Sequence, residues 1–125
     1  RSQPLSPSGF SVNWWYIRGR AGDGRFVDPV LQWEPRAASP SGLAAVGDTL
    51  FMAGLRGRAL WIIDTDGGHV VGEASTWLPA HPARLRDAVA APDGSLWVLS
   101  NNTDGRGDPA AGDDRLIRVP LVPAP

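Results

Sequence analysis

Apolar residues fall in short runs separated by turn signals, and no window keeps a 3.6-residue apolar period over the eleven or more positions that a helix needs. The runs are rich in β-branched and aromatic residues, which marks them as strands. A first strand is predicted over residues 11–18 (SVNWWYIR). It is followed by the polar, glycine-rich RGRAGDGRFVDP, the short apolar VLQW, and the Pro- and Ser-containing EPRAASPSG. From there LAAV, TLFMAGL, ALWIID and HVVGEASTWL alternate with turns at Gly47-Asp48, near Gly57 and at Asp66-Gly67-Gly68. That is an antiparallel meander of four strands.

The pattern then begins again. RLRDAVAA leads into a Pro92-Asp93-Gly94 turn, SLWVLS, the long loop NNTDGRGDPAAGDD, and RLIRV. DTLFMAG and GSLWVLS occupy equivalent places, with Leu50 and Leu96 about 46 residues apart, a period typical of propeller blades. The prediction is all-β, antiparallel throughout, with about one and a half blades of a propeller. Residues 1–41 enter from a preceding blade, 42–80 form a complete blade, and 81–125 form a partial last blade and tail. Three strands leave an open blade edge, which invites pairing with another strand or another copy of the chain. The abrupt start without methionine, and a blade count too small to close a ring, read as a piece of a longer protein.

Composition narrows the partners. The formal net charge of −1 gives no electrostatic case for nucleic acid or a membrane surface. No apolar run approaches the roughly 20 residues of a membrane span, and no signal-peptide pattern is present. The absence of cysteine excludes disulfides and thiolate sites. All twelve basic residues are arginine, and six tryptophans are many for 125 residues.

Few residues suggest chemistry. Arg84 and Arg86 stand two apart at the start of a strand, so alternation puts both on one face. Two guanidiniums there can grip an anion carrying several carboxylates. Taken alone, the pair reads sooner as a solvated edge, or as partners of acids such as Asp87. Arg56, before a turn, is an ordinary loop arginine. His69 and His81 have no metal-ligand spacing, and no G-x-S-x-G elbow points to a hydrolase. NNTDGRGD has some oxygen-bearing residues of a calcium loop but lacks its final Glu, and reads as a polar blade-tip loop. Trp61 and Trp97 are expected in the core. Trp33, in an irregular segment, could equally face a pocket.

Four stretches, DGRFVDPVLQWEPRAASPSGLA, DTLFMAGLRGRALW, RLRDAVAAPDGSLWVLSNNTDGRG and DDRLIRV, together resemble the C-terminal part of the soluble glucose/sorbosone dehydrogenase family. These are quinoproteins that oxidise aldose sugars with pyrroloquinoline quinone (PQQ) on a six-bladed propeller. The resemblance implies that Arg84 and Arg86 contact PQQ, which carries three carboxylates, that Arg56 in the LRG stretch lies at the same cofactor, and that Trp33 lines the site. It implies a calcium ion whose ligands lie outside this chain, a general-base histidine that neither His69 nor His81 matches, and a periplasmic or secreted location. The implied chemistry is removal of the sugar's anomeric hydroxyl proton with hydride transfer to the quinone. This chain would contribute arginines to that site without running the reaction alone. The alternative is a non-catalytic propeller fragment acting as a carbohydrate-binding or structural module.

Overall fold

The computed structural model describes residues 12–13, 31–34 and 36–122. Ten strands are present among them: β1 (Val12–Asn13), β2 (Leu31–Gln32), β3 (Pro40–Val46), β4 (Thr49–Gly54), β5 (Leu60–Asp66), β6 (His69–Val70), β7 (Ser75–Trp77), β8 (Leu85–Ala90), β9 (Leu96–Ser100) and β10 (Leu116–Val119). Of the strand predicted over 11–18, only Val12–Asn13 lies within the described residues. The loop 19–30 lies outside them.

Strands β3, β4 and β5 form an antiparallel meander, and β6 and β7 both pair with β5. The single fourth strand expected from HVVGEASTWL is therefore divided. Val70 pairs with Thr65, the chain leaves the sheet at Gly72 (φ +67°), and it returns with Ser75 opposite Ile62 and Trp77 opposite Leu60. The positive φ at Gly72 is one that an L side chain rarely adopts, so glycine is where the strand can break. The second sheet has the order β10-β9-β8, antiparallel, as the three runs predict. DTLFMAG and GSLWVLS supply β4 and β9, the second strand of each meander. The one departure from antiparallel pairing among the described strands is β1 with β2, joined in parallel at Val12–Leu31 and Asn13–Gln32. A parallel pair cannot be closed by a hairpin, and the sequence separation of the two strands is long enough for a crossover.

Strand β4 explains why its sequence is apolar without alternation. Phe51 and Ala53 face the second sheet and pack in one core with Leu60, Leu85, Ala88, Leu96 and Val98. Leu50 and Met52 face the other way, with Ile63, and meet Leu31, Trp33 and Trp61. Covered on both faces, a strand needs no polar side. In β9, Leu96 and Val98 are fully buried, so period two turns Trp97 outward. It stands half-buried in register with Val89 and Arg118. The core position expected of Trp97 is thus corrected, whereas Trp61 packs against the second core.

Leu96 is 0 % exposed at the centre of the inter-sheet core. Leu96→Ala in the full chain is expected to lower unfolding stability by about 2–5 kcal/mol, read from urea denaturation. A loss under about 0.5 kcal/mol, ordinary for a surface change, would contradict this packing.

Candidate functional site

The loop after β9 folds back on itself, and its bonds fix where the arginines go. Asn102 Nδ2 donates to Asp113 at 2.9 Å, its N–H donates to Asp114 at 2.5 Å, and Thr103 Oγ1 donates to Asp114 at 2.5 Å. Asn102 Oδ1 in turn accepts from the Arg84 N–H at 3.0 Å, while the Arg84 carbonyl accepts from the Asn101 N–H at 2.7 Å. The polar loop is thereby stapled to the start of β8, with its oxygen-bearing side chains engaged by partners within the protein.

Arg84 precedes β8, and a bulge lies between Leu85 and Asp87, where Arg86 is the extra residue. Strict alternation is broken there. The expectation that the two arginines share a regular strand face is therefore corrected, yet both still reach one carboxylate. Arg84 Nη2 donates to Asp104 Oδ2 at 3.3 Å, and Arg86 Nη2 lies 3.8 Å from the same oxygen. The acid is Asp104 of the loop, not Asp87, whose carboxylate accepts from the Ala88 N–H.

The two guanidiniums sit in different surroundings. The Arg84 side chain is only 9 % exposed, and its buried Nε has no hydrogen-bond partner among the described residues. At Gly107 an added Cβ would come within 2.7 Å of Asn102 Cα and 3.0 Å of Arg84 Cδ, so the loop can close over Arg84 only because this residue is glycine. Arg86 is nearly half exposed. With the Asn101 amide oxygen turned toward it, Asn101 accepts from Arg86 Nη2 at 2.7 Å and from Nε at 3.0 Å. The opposite amide orientation would set N–H against N–H.

Arg84, Arg86, Asp104 and Arg106 line one wall of a cavity of about 740 Å³. Ser39, Leu55 and Arg56, from the segments flanking β3 and β4, line the other. Among the described residues, four guanidiniums against one carboxylate leave three positive charges in the lining. Arg56, Arg84 and Arg86, expected at one site, do converge. Trp33 is not part of this lining; it packs against Trp61 in a tilted arrangement, with ring centroids 5.3 Å apart and planes at 53°. Asp104 and Arg106 had no role in the sequence reading, where their loop is a blade tip. The signal was the Asp-Gly-Arg order, a turn in which Asp104 Oδ1 accepts the Arg106 N–H at 2.9 Å. His69 and His81 are both exposed, and His81 borders a separate, smaller and mainly apolar cavity of about 230 Å³ with Trp77 and Ile117.

The sequence profile of the glucose / sorbosone dehydrogenase family matches residues 12–118. The fold is similar to the PQQ-bound aldose sugar dehydrogenase of Streptomyces coelicolor, with 39% identity and a TM-score of 0.75 over 86% of this chain and 33% of that one. It is also similar to an oxidoreductase of Thermus thermophilus described as a glucose dehydrogenase, with 39% identity and a TM-score of 0.71 over 81% of this chain and 31% of that one. A third likeness is to the soluble aldose sugar dehydrogenase of Escherichia coli in its apo form, with 25% identity and a TM-score of 0.51 over 62% and 24% of the two chains. The chain spans about a third of the length of the first two structures. No curated protein sequence matches it significantly.

The Arg106 N–H, and then the charges of Arg84 and Arg86, hold the Asp104 carboxyl below its ordinary value of 3.8, against partial burial, which pushes it up. A carboxylate lowered on folding stabilises fully above its unfolded value, and that contribution is lost as pH falls through the lower folded value. Asp104 is thus expected to titrate below 3.8 in a carboxyl-carbon NMR titration of the full chain. A midpoint at or above that ordinary value would mean that the Arg106 N–H and the Arg84 and Arg86 charges do not hold it in solution as they do here.

Proposed function

The chain belongs to the glucose / sorbosone dehydrogenase family, and on that premise we propose that it supplies the carboxylate clamp for PQQ in an aldose sugar dehydrogenase. The observation that carries this reading is the charge of the cavity. Its lining holds three more positive than negative charges, and PQQ carries three carboxylates. Arg84 adds a guanidinium whose side chain is only 9 % exposed and which lines the cavity, a setting in which a charge-assisted bond is little screened. The cavity volume also falls within the roughly 300–1,000 Å³ of small-ligand sites. The residues present fit the cofactor.

When bound, PQQ supplies a two-electron acceptor for oxidation of the sugar at its anomeric carbon. The residues of this chain do the binding and orienting. Arg84, walled in by Gly107 and Asn102, is the fixed point of the clamp. Arg86, nearly half exposed, and Arg56 would supply the further guanidiniums that hold the carboxylates of PQQ. Charge-assisted pairs with planar guanidiniums fix the orientation of a planar polyanion as well as its affinity. For Trp33, the resemblance alone supports a place at the cofactor. Among the described residues no group of three or more His, Cys, Asp or Glu side chains offers a metal site, so the calcium ligands are assigned outside them. The general base is likewise assigned elsewhere, because His69 and His81 do not border the arginine cavity.

Family membership supports a periplasmic or secreted setting for a sugar-oxidising enzyme; among the described residues no helix is long and apolar enough to cross a membrane. A structural role is favoured at a different surface. Val89, Leu99 and Leu116 are exposed on the second sheet, and β10 pairs with β9 alone among the described strands. That face suits the packing of a further blade, or of a second copy of the chain.

Absorbance titration of the full chain with PQQ tests the clamp. The Arg84→Ala/Arg86→Ala double variant is expected to bind PQQ more than about tenfold more weakly, the scale of one lost charged hydrogen bond or more. Equal affinity in the two proteins would remove the arginines from the cofactor.

A further inference from the structure

Among the described residues Asp104 is the only acid in the lining of the arginine cavity, yet neither arginine beside it depends on it for position. Arg84 is fixed by its backbone bonds to Asn101 and Asn102 and by the close approach of Gly107. Arg86 is held by two hydrogen bonds to the Asn101 oxygen. Asp104 is itself fixed independently, by the Arg106 N–H. Its separations from the guanidiniums, 3.3 and 3.8 Å, exceed the roughly 2.7–2.9 Å of a tight charge-assisted bond. Arg84 Nε stays unpartnered even with Asp104 in place. What Asp104 contributes is therefore its charge.

We propose that Asp104 is a built-in counter-anion, which offsets one of the two positive charges of Arg84 and Arg86 in the ligand-free cavity and competes with ligand carboxylates there, so limiting the site to anions of about three charges. The proposal rests on the clamp reading above and extends it to charge selectivity. A buried guanidinium without any anion is costly, so an internal carboxylate keeps the empty site folded. The same carboxylate repels every ligand carboxylate, so a fourth ligand charge gains less than it would in a lining without it.

The test uses calorimetric titration of the full chain at low salt with two planar probes, the tricarboxylate trimesate and the tetracarboxylate pyromellitate. Wild-type protein is expected to bind the two with affinities within about threefold of each other. Asp104→Asn should bind both more tightly and favour pyromellitate by a further factor of about three to ten, the scale of one partly screened charge pair. Asp104→Glu, which keeps the charge, should stay near wild type. A merely structural role for Asp104 would not change the preference between probes. Unchanged or weaker binding of both probes by Asp104→Asn overturns the proposal. If that variant does not fold, a wild-type preference for pyromellitate above tenfold overturns it instead. Should the double arginine variant still lose PQQ while Asp104→Asn leaves probe binding unchanged, the clamp stands and the counter-anion falls. Should wild-type protein bind neither probe, both fall.

Discussion

One guanidinium, that of Arg84, sets the terms for the site. A charge with a side chain 9 % exposed is expensive to bury, and it persists only where acceptors surround it. Here one carboxylate serves it from a single side, and its Nε is left unserved. The loop 101–114 exists in its observed shape to hold that arrangement. Its bonds to Asp113 and Asp114 bring Asn102 to the Arg84 backbone, and Gly107 lets the loop pass within contact of the side chain.

The sheets supply the rigidity that this geometry requires. The second sheet lies on the first through Phe51, Ala53, Leu60, Leu85, Leu96 and Val98, which fixes the start of β8 relative to the turn that follows β4. Arg56 comes from that turn and the arginine pair from the entrance to β8, so the cavity spans the junction of two sheets. A tripositive lining across a packed junction can orient a rigid polyanion, because neither wall shifts without disturbing a close-packed core.

Much of this was legible in the sequence. Apolar runs of strand length, turn residues between them and the repeat linking Leu50 to Leu96 gave the order of strands in both sheets, whereas Arg84 and Arg86, which alone read sooner as a solvated edge, were singled out as a site by the family resemblance. What was hidden has identifiable causes. The division of the fourth strand follows from a single backbone angle at Gly72, which composition does not distinguish from an ordinary bend. The bulge at Arg86 defeated the period-two rule, although the arginines converged regardless. Trp97 looked like core because its neighbours are apolar, but a strand packed on one face must turn alternate residues outward. Asp104 lies 18 residues beyond Arg86 in a loop, and only its contact with the arginines reveals its part. Sequence separation carries no sign of such a pairing.

The central claim is that the two arginines receive the carboxylates of a quinone cofactor. A crystal structure of the full chain grown with PQQ tests it most directly. The account predicts PQQ in the arginine cavity, with carboxylate oxygens within about 3 Å of both the Arg84 and Arg86 guanidiniums. PQQ bound elsewhere, with Arg84 and Arg86 still facing Asp104 alone, would contradict it.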